Sequence, residues 1–193
     1  MEEQIILVNE ADEMVGIGEK MQAHKLGKLH RAFSIFVFNS RNQLLLQKRA
    51  AAKYHSRSLW SNTCCGHPRP GETIPEAAQR RLQEEMGFDC ELKEVFDFIY
   101  KVELDTDLCE YEYDHVLIGK FDGRPIPNKE EVDDWSWTEI AELRVAVKEN
   151  SKNYTYWLRA CVDAVLDLLP VLEFEERPAL TPLEEGVQFR KVT

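Results

Sequence analysis

A chain of 193 residues, 44% apolar and 31% charged, has the size and balance of a globular fold that buries a core without disulfide or metal staples, which excludes the disordered and membrane-embedded classes. Its formal net charge of −11, from 24 basic and 35 acidic residues, argues against nucleic acid as a partner, so an anionic ligand needs cations clustered locally. Five cysteines, an odd number, form no disulfide framework and suit a reducing, cytoplasmic compartment, and the acidic start "MEEQIILVNEADEM" reads as neither a secretory signal nor a transit peptide.

"EQIILVNEADEMVGIGEK" predicts two short strands around a polar turn at residues 9–13. "RAFSIFVFNSRNQLLLQKR" predicts a hairpin, with apolar runs at 33–38 and 44–46 and a turn at 39–42. The stretch "NTCCGHPRPGE" reads as a loop that brings Cys64, Cys65 and His67 together. Thr73 and Glu76 then form a capping-box pattern, Pro75 lies in the first turn and Gly87 closes the run, so a helix is expected over Ile74–Met86. On it Ile74, Ala78 and Leu82 face the core, while Arg80 with Glu84 and Arg81 with Glu85 pair at four-residue spacing.

"EVFDFIYKVEL" and "EYEYDHVLIGKF" predict two long strands joined near residues 105–108, and alternation puts Glu110, Glu112 and Asp114 on one face. A short strand at 135–137 and helices over 138–148 and 154–169 complete the pattern. With no internal repeat or low-complexity linker, residues 1–193 read as one α/β domain.

Counting back from Gly87 gives Gly66, five residues, Glu72, seven residues, then Arg80-Arg81-Leu82-Gln83-Glu84-Glu85-Met86-Gly87-Phe88. This spacing resembles the Nudix box, G-x5-E-x7-R-E-U-x-E-E-x-G-U, with U apolar. A loop leading into a helix gathers carboxylates that can hold Mg²⁺, a hard cation suited to oxygen ligands and diphosphates. The resemblance implies a Nudix-type α/β/α sandwich with a mixed central β-sheet. Arg81 departs from it, standing where the box has its first helical glutamate; a guanidinium there can hold a phosphate oxygen but cannot help a metal activate water.

Further motifs narrow the resemblance: "CCGHP" at the start of the box, His24 and His30 in "EKMQAHKLGKLHRAFS", Tyr100, Glu110 and Glu112 in "YKVELDTDLCEYE", and Trp157 in "NYTYWLRA". In this order they resemble the type 1 isopentenyl-diphosphate Δ-isomerases over nearly the whole chain. The resemblance implies proton transfer by Cys65 and Glu112 to and from the small-molecule substrate isopentenyl diphosphate. Tyr100 then assists the carboxylate, and Trp157 faces a tertiary carbocation from which water must be excluded. It implies a divalent ion, Zn²⁺, Mn²⁺ or Mg²⁺, on His24, His30, His67, Glu110 and Glu112. A second ion, Mg²⁺, rides on the diphosphate and is anchored by Glu85, and Lys20, Arg49, Lys53 and Arg81 bind the diphosphate. No nucleic acid and no membrane insertion are expected.

Other residues carry structural readings. Cys64, Cys90, Cys109 and Cys161 read as buried small side chains, His55 and His115 as surface or core histidines outside the motif, and Trp60 and Trp135 as core. Glu72 is expected to brace the loop through its backbone, and Arg80 with Glu84 to support the helix. A Nudix hydrolase of a diphosphate is the main rival, disfavoured by Arg81. A non-catalytic binder of prenyl diphosphate or zinc is the second, and a zinc knuckle at Cys64, Cys65 and His67 lacks the usual C-x2-C spacing.

Overall fold

The computed structural model describes residues 3–104 and 107–169. Strands β1 (Gln4–Val8) and β2 (Met14–Glu19) form the expected antiparallel pair at one edge. Helix α1 (Lys20–Leu26) follows, outside the predicted elements. It has seven residues, its N-cap is Glu19 rather than the usual Ser, Thr, Asp or Asn, and Gly27 ends it at φ 57°.

The predicted hairpin has its turn but not its ladder. Strands β3 (His30–Phe38) and β4 (Leu44–Arg49) pair only at Phe38 with Leu44 and then diverge. Strands β5 (Trp60–Ser61) and β6 (Cys64–Gly66) enter the gap, β5 pairing with β4 and β6 with β3. The segment read as a loop is therefore partly a strand. Thr63 stitches the splayed arms together: its hydroxyl donates to Leu45 O at 2.7 Å and accepts from Val37 N at 2.8 Å. Asn62 donates to Ile35 O at 3.1 Å, a carbonyl on the splayed arm β3, and to Cys64 O at 2.7 Å on the inserted strand.

Helix α2 (Ile74–Met86) has the predicted bounds, with both halves of the capping box formed between Thr73 and Glu76 and Gly87 at φ 72°. Strands β7 (Leu92–Glu103) and β8 (Cys109–Lys120) pair antiparallel along their length. Residues 105 and 106 of their predicted junction lie outside the described residues. Strand β8 also runs parallel to β3, with His30 opposite Glu112, so the sheet is mixed. Strand β9 (Val132–Thr138) pairs with the far side of β4, and helices α3 (Ile140–Glu149) and α4 (Tyr156–Leu168) end the described chain.

Alternation along the central strands builds two cores. Phe33, Ile35, Val37, Leu45 and Leu117 pack with Ala78, Leu82 and Met86 of α2. Phe36, Phe38, Leu44, Leu46, Val116 and Ile118 pack with Leu143 of α3 and Leu158, Val162 and Val165 of α4. Helices thus cover both faces in the expected α/β/α arrangement. No described helix is long and apolar enough to cross a membrane.

Candidate active site

The wedge strand β6 separates the two adjacent cysteines. Successive residues on a strand face opposite ways, so Cys64 enters the α2 core while Cys65, paired in register with Ser34, lines a cavity of about 410 Å³. Cys109 and Cys161 are buried as expected, Cys90 is half-buried, and all five thiols are free.

Glu112 lies on the same cavity wall, held from both neighbouring strands. Its register partners are His30 on β3 and Tyr100 on β7. Tyr100 Oη donates to Glu112 Oε2 at 2.6 Å, and Oε1 receives His67 Nε2 at 2.9 Å with His30 Nε2 at 3.5 Å. Burial works against the charge on Glu112 and Glu110 repels it, yet the imidazoles of His30 and His67 beside it prevail and hold its carboxyl below the usual range. Burial pushes the Cys65 thiol up to about 12, and burial takes His67 down to about 4.

Behind this wall the histidines converge. Nδ1 of His24 bonds Lys20 O at 2.7 Å and Nδ1 of His30 bonds Lys28 O at 2.8 Å. Because a carbonyl only accepts, each Nδ1 carries the ring proton, which turns an Nε2 lone pair inward in the neutral ring. Those Nε2 atoms and Glu110 Oε2 are buried without a hydrogen-bond partner among the described residues, and His24 Nε2 faces Glu110 Oε2 at 3.4 Å. Lone pairs confronting a carboxylate oxygen need a cation between them. Ligand atoms of His24, His30, His67 and Glu112 lie within 4.8 Å of one another, as do those of His24, His55 and Glu110. This donor set of imidazoles and carboxylates fits a divalent metal.

The predicted anion-binding residues also reach the cavity, which is lined by Lys20, Arg49, Lys53 and Arg81. Three of them are held by carboxylates: Lys20 by Glu3 at 2.9 Å, Lys53 by Glu131, and Arg81 by Glu84 at 2.7 Å, by Glu85 and by Glu131 at 3.5 Å. Arg49 has no carboxylate partner among the described residues and lies over the Trp157 ring, 5.3 Å from its centroid. The indole is fixed from its other end by Nε1 donating to Ser61 Oγ at 2.9 Å. Glu85, the expected Mg²⁺ anchor, is buried, and Gln47 Nε2 donates to it at 3.0 Å.

Two supporting expectations hold geometrically. Glu72 accepts from Arg69 N at 2.8 Å and is clamped by Arg80, which also reaches Glu84 at 3.2 Å. His115 sits away from the cavity, between Glu94 at 2.7 Å and Asp12 at 3.2 Å. His55, expected as a surface or core histidine outside the motif, is buried, but on the cavity wall, where it points at Glu110 with Nε2 3.0 Å from Oε1. Asp114, expected only to share a face with Glu112, is buried and accepts from Ser34 Oγ at 2.8 Å.

A family model described as "NUDIX domain" matches residues 28–161. A curated relative named isopentenyl-diphosphate Delta-isomerase 2, from Aromatoleum aromaticum, is 55% identical over 166 residues, 86% of this chain and 88% of the relative. Another named isopentenyl-diphosphate Delta-isomerase, from Burkholderia multivorans, is 49% identical over 172 residues, 89% of this chain and 97% of the relative. Among solved structures, a Deinococcus radiodurans protein is similar with a TM-score of 0.71 at 21% identity, covering 84% of this chain and 98% of that one. A MutT protein from Methanosarcina mazei gives a TM-score of 0.59 at 15% identity, with 72% and 94% covered. At these identities the two structures speak to the fold alone.

Proposed function

The chain belongs to the NUDIX family and, within it, to the isopentenyl-diphosphate Delta-isomerases, and we propose that it interconverts isopentenyl and dimethylallyl diphosphate with Cys65 and Glu112 moving the protons. The observation that carries this assignment of roles is the meeting of Cys65, Glu112 and Tyr100 in one cavity, with the histidine–carboxylate cluster directly behind.

In the forward direction one member of the pair gives a proton to the exomethylene carbon, whose π electrons form the new C–H bond and leave a tertiary cation. The other takes a proton from the adjacent methylene, and that C–H electron pair closes the new double bond. The reverse reaction exchanges the two roles. Water that would capture the cation must be kept out during the reaction, and Trp157, on the cavity wall, is assigned to face the cation, an interaction worth about 2 kcal/mol when desolvated. Tyr100 holds the Glu112 carboxylate in place for its transfer.

Arg49, Lys53, Arg81 and Lys20 are assigned to the diphosphate. His24, His30, His67, Glu110 and Glu112 would hold a divalent ion, with Zn²⁺ or Mn²⁺ suited to the mixed nitrogen and oxygen donors, and Glu85 would anchor a diphosphate-borne Mg²⁺. When bound, these ions supply positive charge that fixes the protonation of the carboxylates and screens the diphosphate. Hydrolysis is disfavoured because Arg81 stands where the box has its first helical glutamate, which removes a carboxylate a hydrolase would use to bind metal and activate water. Five free thiols suit the reducing conditions of a cytoplasm.

Proton NMR of isopentenyl diphosphate in D₂O with protein and Mg²⁺ tests the reading. The expected result is loss of the exomethylene signals and appearance of dimethylallyl diphosphate with deuterium in a methyl group; release of phosphate instead would establish the hydrolase. Cys65→Ala is expected to lower turnover by roughly 10²–10⁴-fold while pyrophosphate binding persists.

A further inference from the structure

Of the two histidines that neither the box spacing nor the family resemblance explains, His55 and His115, His55 lines the cavity. It lies in the connection between β4 and β5, where two non-glycine residues, Ser56 at φ 48° and Ser58 at φ 59°, adopt the left-handed conformation that side chains disfavour. This bend turns the imidazole inward until it is only 4% exposed. Both ring nitrogens are then engaged. Nδ1 lies 3.1 Å from Ser56 Oγ, from which it can accept, and Nε2 lies 3.0 Å from Glu110 Oε1, to which it can donate. A neutral ring with its single proton on Nε2 satisfies both contacts.

Glu110 is left with one oxygen held and one free. Its Oε2 is buried, lacks a hydrogen-bond partner among the described residues, and faces His24 Nε2. We propose that His55 is a positioning residue for the metal centre, fixing the Glu110 carboxylate by one oxygen so that the other is presented as a ligand beside His24. A neutral donor suits this task better than lysine or arginine, because it orients the carboxylate without cancelling the charge that attracts the ion. His55 also connects the centre to the rest of the cavity. Its ring meets Trp157 edge-on at 5.9 Å, and its carbonyl accepts from Arg49 Nη2 at 3.3 Å. One loop residue thereby braces a metal carboxylate, a diphosphate-binding guanidinium and the indole.

The inference rests on the metal centre proposed above, and its test reads metal binding apart from turnover. The full chain, stripped of metal, is titrated with Co²⁺ and followed by visible d–d absorption. His55→Ala is expected to weaken Co²⁺ binding by roughly 10–100-fold, the usual effect of losing a group that orients a ligand. His55→Gln, whose amide can still donate to Glu110, is expected to recover most of that loss and the parent spectrum. If the alanine variant fails to fold, the glutamine variant decides the matter by its affinity and spectrum. Parent-like affinity in His55→Ala overturns the role, and so does a glutamine variant as weak as a folded alanine variant. A parent protein that binds no Co²⁺ overturns the metal centre and this role together, whereas absence of isomerisation despite normal Co²⁺ binding counts only against the reaction.

Discussion

At Glu112 the two carboxylate oxygens do different work. Oε1 faces His67 and His30, whose rings belong to the histidine–carboxylate cluster, while Oε2 accepts from Tyr100 Oη at 2.6 Å. The phenol thus fixes the orientation of the carboxylate to which proton transfer is assigned. Its own proton is secure, because burial and the neighbouring Glu112 charge push the Tyr100 pKa well above that of a free tyrosine. Tyr100→Phe keeps the ring stacked on Phe98 but deletes a hydrogen bond to a charged group, worth roughly 1.5–3 kcal/mol. The expected outcome is a fall in kcat of about 10–100-fold with KM little changed, since the phenol is not assigned to the diphosphate. Steady-state kinetics on saturating metal separate the two constants. An equal rise in KM with unchanged kcat would place Tyr100 in substrate binding instead.

Between elements, the decisive contact is the wedge that opens the β3–β4 hairpin. Thr63, wholly buried, replaces ladder bonds with its hydroxyl, donating to Leu45 O and accepting from Val37 N. Thr63→Val preserves volume and β propensity while orphaning both backbone groups. A loss of roughly 2–4 kcal/mol in urea unfolding is therefore expected, from two buried groups left unpaired. A change below half a kcal/mol would mean that the arms close without it. The wedge also marks where sequence legibility ends. Helix α2 was readable to its end residues because its capping box and terminal glycine act within a few positions. The β7–β8 pair was readable because alternation persists along both strands. The separation of β3 from β4 depends on β6 and on the parallel pairing of β3 with β8, some eighty residues away, and no local pattern encodes such partners. His55 escaped for a related reason. A loop histidine has no periodicity to aim it, and its one signal was its place two residues after Lys53 on the way to the cysteine wedge.

For the whole molecule, charge sets the condition under which this site can hold its substrate. A protein with formal net charge −11 repels an incoming diphosphate at long range, although salt limits that repulsion to a Debye length of about 10 Å at 0.1 M. Inside the cavity the balance is still unfavourable. Its described walls carry four basic side chains, Lys20, Arg49, Lys53 and Arg81, against six glutamates, at positions 3, 85, 110, 112, 130 and 131. Three of the four cations are already engaged by carboxylates, leaving Arg49 as the exception. Two divalent ions, one at the histidine cluster and one at Glu85, would reverse the local sign and release Arg81 and Lys53 toward phosphate oxygens. Divalent metal should therefore be required for substrate binding as well as for turnover. Calorimetric titration with inorganic pyrophosphate is expected to show little binding in chelator-treated protein and at least a hundredfold gain, about 2.7 kcal/mol, once Mg²⁺ and a transition metal are restored. Equal affinity in both states would show that the basic side chains suffice alone, and the ion pairs to Glu85 and Glu131 would then be too weak to compete with the ligand.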